Sequence, residues 1–294
     1  MMLSRITPRA VWFVLVASFC TALVQRSGVL LGYWTQAYNP NTPFALMMAA
    51  AYVVALAFCV QIARDHKKTP AMHFAWMLFA GSSAMSIVRH VTQALVASML
   101  IPGFGREASY IPIQLPMALA LVLLFAGLLS MWSAFTAVGL GFHPRRIDIL
   151  VVTLMLLILP PILIRNAERQ PAFVSGWMVL LPFAGAILLP ACGAIAVLLH
   201  RMAVEMRGGE TARALLFLIW YPGLRLAAML ATVEPFLTAV PLVSVLTYAV
   251  YQTAPLVFTL GLAYRWRIAV KASAALEAES ETWSDLYPIA TSIH

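Results

Sequence analysis

The sequence predicts an all-α integral membrane protein, a bundle of about eight transmembrane helices with both termini cytoplasmic. Three observations carry this. Of 294 residues, 62% are hydrophobic and only 10% charged, where a soluble domain carries about 25% charged residues. Apolar runs of about 18 residues or more, the length that crosses a ~30 Å hydrocarbon core, recur along almost the whole chain. No Asp or Glu lies deeper in those runs than Asp148, at the very start of the fifth, while Lys and Arg gather in alternate connections. Backbone facing lipid must satisfy its own hydrogen bonds, so the runs are read as helices.

The first span covers about 10–33 and follows Arg5 and Arg9. Its start, with Cys20-Thr21-Ala22, also has the outline of a signal peptide cleaved after Ala22; cleavage would leave seven helices and an outside N-terminus. The uncleaved reading is preferred, because the apolar pattern resumes after Arg26 and ends on the interface pair Tyr33-Trp34. The second span, about 44–63, begins after Asn39-Pro40-Asn41-Thr42-Pro43 and ends before Arg64, Lys67 and Lys68. The third, 72–100, stops at Pro102-Gly103, and the fourth, 115–140, stops before Gly141 to Pro144. The fifth and sixth cover about 147–164 and 177–199. The seventh, 214–233, follows Gly208-Gly209, and the eighth covers 240–264. Residues 1–271 then form one polytopic domain, and 272–294 a short acidic tail that extends the last helix by a turn or two.

Orientation follows from the basic residues. Arg5, Arg9, Arg64, Lys67, Lys68, Arg145, Arg146, Arg201, Arg207, Arg213, Arg265, Arg267 and Lys271 fall on one side, against Arg106, Arg165 and Arg169 on the other. Positive charge stays cytoplasmic. The net charge of +8 is thus largely a topology signal, and nucleic acid is not an expected partner. The expected location is a cytoplasmic membrane of bacterial type.

Three arginines, Arg26, Arg89 and Arg225, lie inside spans that hold no carboxylate. Charges at membrane depth face a protein interior or a water-filled cavity. On the third span Ser82, Ser86, Arg89 and Gln93 share one face, with His90 beside it. The serines alone would be read as interhelix packing devices; a guanidinium with five donors and no acceptor asks for more. On the seventh span Tyr221, Arg225, Ala228 and Thr232 repeat the pattern, and Pro222-Gly223 marks a kink just before the arginine. On the eighth, Ser244, Tyr248, Tyr251 and Pro255 form a stripe flanked by Thr247 and Gln252. Tyr248 and Tyr251 lie roughly 12–17 Å from the outer end, too deep for an interfacial belt. Arg26, Arg89 and Arg225 lie at a similar depth, on the order of 10–17 Å, which defines a polar layer in the outer half. Arg26 is its weakest member, because a long side chain near a helix end can snorkel to the interface instead.

The candidate ligand-binding residues are therefore Arg89, Arg225, Tyr248, Tyr251, Tyr221, Ser86, Gln93 and His90, with Arg26 and Ser82 secondary. No catalytic or metal-ligating set is expected. Without an intramembrane Asp or Glu there are no paired carboxylates for metal-diphosphate chemistry or proton relays. No lysine lies in a span to carry a Schiff base. Cys20, Cys59 and Cys192 show no ligand spacing and are read as small apolar packing residues. No cofactor is predicted. His73 and His200 are the histidine pair at matched depth, which leaves haem open alongside quinone, although both sit among basic residues at helix ends.

The leading functional expectation is a sensory or signalling input module. It would take an anionic small molecule or lipid into the outer-half layer and pass the change to a cytoplasmic or membrane protein partner. The alternatives are a transporter or lipid-translocating protein, an assembly subunit of a larger membrane complex, and an intramembrane enzyme or redox protein. An enzyme is the less expected class.

Overall fold

The computed structural model describes residues 6–31, 41–97, 106–137, 145–157, 159–168, 173–174, 176–205, 210–233 and 240–286. Nine α-helices and one short 3₁₀ turn make up these described residues: α1 Pro8–Leu30, α2 Asn41–Asp65, α3 Pro70–Ala97, α4 Arg106–Ala137, α5 Arg146–Leu157, α6 Leu159–Glu168, the turn Gly176–Val179, α7 Leu180–Glu205, α8 Glu210–Val233 and α9 Pro241–Leu286.

Local signals set several of these ends. Pro8 occupies the first turn of α1, where its missing N–H costs nothing, and the Thr7 hydroxyl accepts from the Ala10 N–H at 3.2 Å. At α5 the Asp148 carboxylate reaches back to accept from the Arg145 N–H at 2.9 Å, half of a capping box. Two boundaries differ most from the sequence expectation. α4 begins at Arg106 rather than near 115 and carries Pro112 and Pro116 inside it; membrane helices tolerate proline because neighbours re-satisfy the freed carbonyls. α9 continues to Leu286 instead of ending a turn or two beyond 264, since Ala272–Glu281 is rich in the strong helix formers Ala, Glu and Leu. α1 runs without a break past Ala22, which is fully buried in a cluster with Phe44 and Ala249.

Among the described residues, seven helical segments are long and apolar enough to cross a membrane, the stretch Arg146–Arg165 through α5 and α6 counting as one. The remaining apolar helix, Ala214–Ala228 within α8, is shorter. Outward-facing Phe13, Val24, Leu157, Leu180 and Leu242 are 65–76% exposed. Apolar surface on that scale is tolerated by lipid rather than water, and the chain is a multi-pass helical membrane protein.

Packing contacts α2–α3, α3–α4, α4–α7, α7–α8, α8–α9 and α9–α2 close a six-helix ring; α1 lies against α9, and α5 and α6 against α7. Paired side chains fix the relative directions. Arg89 and Phe79 of α3 meet Tyr251 and Phe258 of α9, in antiparallel order. Phe44 and Phe58 of α2 meet Tyr248 and Trp266 of α9, in parallel order. One end of the ring therefore gathers basic residues around the contact between His66 and Arg265. Two glycines allow close approach: a Cβ on Gly261 would stand 3.0 Å from the α8 backbone at Ala214 and Leu218, and one on Gly127 would strike the Phe79 ring at 2.7 Å.

Candidate functional site

Three helices bring two of the embedded arginines to one tyrosine. Arg89 of α3 donates from Nη2 to the Tyr251 hydroxyl at 2.9 Å. Arg225 of α8 places its guanidinium carbon 4.6 Å from the centroid of the same ring, within cation–π range. Tyr251 thus accepts a hydrogen bond at its edge and holds a cation on its face. Neither arginine is fully satisfied: Arg89 Nε and Arg225 Nη1 are buried without a hydrogen-bond partner, and Arg225 is only 8% exposed.

Arg26 does not turn away to the interface. Its Nη2 and Nε lie 3.1 and 3.4 Å from the Ser244 hydroxyl, and its guanidinium is 5.8 Å from the Tyr248 ring centroid. The tight contact of α1 with α9 draws it inward.

A cavity of about 690 Å³ opens beside this cluster, walled by α1, α3, α4, α7, α8 and α9. Its walls are unlike. From α1, α3, α8 and α9 come Arg26, Gln93, Arg225, Ser244, Tyr248, Tyr251 and Gln252, with Leu30 among them. From α4 and α7 come the apolar Met117, Leu121, Pro182, Ala186 and Leu189, with Gln114 on the same face of α4. Among the described residues no Asp or Glu lines it. The volume falls within the range of small-molecule sites, about 300–1,000 Å³.

Of the residues singled out in the sequence, Arg225, Tyr248, Tyr251, Gln93 and Arg26 face the cavity. Arg89 stands behind Tyr251 and supports it. The others lie deeper. Tyr221 is buried with its hydroxyl 2.6 Å from that of Tyr52. Tyr52 in turn stacks on His90 at 5.7 Å between centroids and 13° between planes. His90 is 1% exposed; Gln93 is the polar side chain beside it, yet neither imidazole nitrogen meets a partner in hydrogen-bond geometry. Ser86 is buried, and Ser82 donates to the Ala120 carbonyl of α4 at 2.8 Å, the interhelix packing role its residue type allows.

Two participants were missed. Gln114 falls inside α4 only because that helix starts before the prolines. Tyr52 is a lone polar aromatic eleven residues into α2; the depth criterion that marked Tyr248 and Tyr251 would have marked it too. Among the described residues no group of three His, Cys, Asp or Glu side chains converges to hold a metal. Cys59 and Cys192 are buried and Cys20 is exposed, all three as free thiols.

What the arrangement offers chemically is recognition. An unpaired guanidinium donor on Arg225 and unpaired amide carbonyls on Gln93, Gln114 and Gln252 share the space with apolar side chains of α4 and α7, which suits a molecule with an anionic head and an apolar body. Comparison of the chain with protein families, with curated proteins and with solved structures finds no match.

Proposed function

We propose that this protein is a ligand-binding input module of a cytoplasmic membrane, taking an anionic amphiphile into the cavity between α1, α3, α4, α7, α8 and α9. The observation that carries the reading is Arg225. A charge buried to this degree and left with a free Nη1, at the wall of a cavity without carboxylates, is a functional rather than a packing feature. Arg225 and Arg26 take the anionic head, Tyr248 and Tyr251 line its seat, and Arg89 holds Tyr251 in place. The apolar side chains of α4 and α7 receive the body.

In this reading α8 is an eighth span, both termini are cytoplasmic and α1 is retained. Support for α8 is its register: Phe217, Tyr221 and Arg225 meet Tyr264, Phe258 and Tyr251 in turn along α9. Support for α1 is Arg26, which the cavity wall requires. Occupancy would be felt by α9, which carries Tyr248 and Tyr251 near one end and continues to Leu286 at the other.

The test is equilibrium binding of a short-chain anionic phospholipid to the purified protein in neutral detergent, against the zwitterionic phosphatidylcholine of the same chain length. Anionic preference of about tenfold, or roughly 1.4 kcal/mol, lost in Arg225→Gln, is expected. Equal binding of the two lipids overturns the reading. A transporter is the second reading, favoured by one feature: Pro222 removes a backbone hydrogen bond of α8, and a Cβ added at Gly223 would meet nothing within 4 Å. That leaves α8 room to bend beside Arg225. Flux of the bound lipid between vesicle leaflets would select it.

A further inference from the structure

The cavity's three glutamines say more about the ligand than its arginines do. Gln93 of α3, Gln114 of α4 and Gln252 of α9 all line it, and each has a buried Oε1 without a hydrogen-bond partner. Gln252 is 6% exposed, so its amide has no recourse to bulk solvent. In these orientations the unpaired atom of each amide is its carbonyl oxygen, and a carbonyl needs a donor. Arginines cannot serve a phosphate and the amides at once without limit, and a bare phosphate or carboxylate brings acceptors only. It would satisfy Arg225 Nη1 and leave the Gln114 and Gln252 carbonyls dry, while Gln93 has the His90 imidazole beside it.

We infer that the ligand's head combines its anion with hydroxyl or amide N–H donors, as in a phospholipid esterified to a polyol or a sugar, and that Gln114 and Gln252 read those donors. This deepens the proposed function and rests on it. The charge selects anionic from zwitterionic lipids; the amides select among anionic lipids. Buried polar sites discriminate strongly in this way, because a ligand lacking the partner leaves the site's own group unpaired. The apolar Met117, Leu121 and Leu189 make the polyol phosphate part of an amphiphile rather than a free solute.

Two lipids of equal charge separate the charge from the donors. Dioctanoyl phosphatidylglycerol and dioctanoyl phosphatidylmethanol are both phosphodiesters with one negative charge, and the second lacks the diol. Each is titrated onto the detergent-purified protein beside dioctanoyl phosphatidylcholine and soluble sn-glycerol 3-phosphate. Phosphatidylglycerol is expected to bind about tenfold more tightly than phosphatidylmethanol, the worth of one to two buried hydrogen bonds. The ratio falls to within about twofold in Gln114→Leu and in Gln252→Met, the thermal transition in detergent confirming that each variant is folded. Equal binding of the two anionic lipids, both above phosphatidylcholine, overturns this inference and leaves the proposed function standing; water then satisfies the amides. A preference that persists in both variants overturns the assignment to the glutamines. Glycerol phosphate binding as tightly as the lipid overturns the amphiphile. If neither anionic lipid exceeds phosphatidylcholine, the proposed function falls and the inference with it.

Discussion

Ten residues separate Phe79 from Arg89 on α3, and seven separate Phe258 from Tyr251 on α9, so both helices run from one environment into another within about 10–15 Å. Toward the basic end, Phe79 packs edge-on against Trp76 at 5.5 Å and against Phe258 at 6.2 Å, and Phe58 meets Trp266 at 6.4 Å. Trp76, Phe58 and Phe79 are each at most 1% exposed. Toward the other end the same helices carry arginines, glutamines and tyrosines around open space, with buried donors and acceptors unpaired. One region is filled by aromatic rings, with the indole N–H groups of Trp76 and Trp266 unpaired there too, and the other encloses open space. The comparison teaches where stability and binding reside: a ring closed by aromatic packing can hold a charged, half-satisfied cavity that would not hold itself together.

The largest expected effect falls in the filled region. Phe79→Ala removes a ring that touches Trp76, Phe258 and the close approach at Gly127, and should destabilise by about 3–5 kcal/mol, read from unfolding in mild detergent. A loss below about 1 kcal/mol would show that this half is no better packed than the cavity half.

The next effect has the opposite sign. Arg225→Met replaces a buried, partly unpaired charge with an apolar chain of similar length. Such replacements are neutral or stabilising by about 1–4 kcal/mol. Stability should rise or hold while anionic lipid binding disappears. A large destabilisation would mean that the Arg225–Tyr251 contact is a structural pillar, and the contrast between the two regions would blur.

A smaller effect sits on the boundary. Tyr52→Phe deletes the hydroxyl that meets Tyr221 at 2.6 Å but keeps the ring stacked on His90. A loss of about 1 kcal/mol is expected, with lipid preference intact because neither tyrosine lines the cavity. Altered binding would move the boundary of the site one layer deeper.

The legibility of these regions in the sequence differs in the same way. The multi-pass helical character was readable because length and hydropathy report on lipid directly. The sequence reads as eight spans, whereas seven helical segments among the described residues are long and apolar enough to cross. The embedded charges were readable because Arg89 and Arg225 interrupt apolar runs. That the two arginines meet was not readable, since Arg89 and Tyr251 are 162 residues apart in the chain and nothing local encodes which helices adjoin. Gln114 stayed hidden because the expected fourth span starts at 115, one residue beyond it. Tyr52 matched Tyr248 and Tyr251 in depth, but a single tyrosine in an apolar helix has a bland packing explanation until a partner across the ring is known. Arg26 was ambiguous because its direction depends on α9, not on α1. The end of α9 was misjudged because hydropathy stops at the membrane while helix propensity does not.

The smallest effect belongs to the basic end. His66 follows α2, outside the spans, and its Nε2 lies 3.1 Å from Arg265 Nη2. Since a guanidinium only donates, the imidazole must accept and be neutral. Burial lowers its pKa below the usual 6.5, the Arg265 charge lowers it further, and Asp65 opposes them both by its charge and through its backbone hydrogen bond. The folded state therefore binds this proton more weakly than the unfolded chain. Stability contributed by the neutral pair is complete above about pH 6.5 and is lost as pH falls from there toward the folded pKa. The site is half-exposed, so solvent screening keeps the effect below about 1 kcal/mol. Unfolding followed from pH 7.5 to pH 5 should show a shallow decline that His66→Gln reduces. Because the cavity is remote from this contact, lipid preference should not change with it; a parallel fall in binding would mean that the filled region transmits the state of one end of α9 to the other.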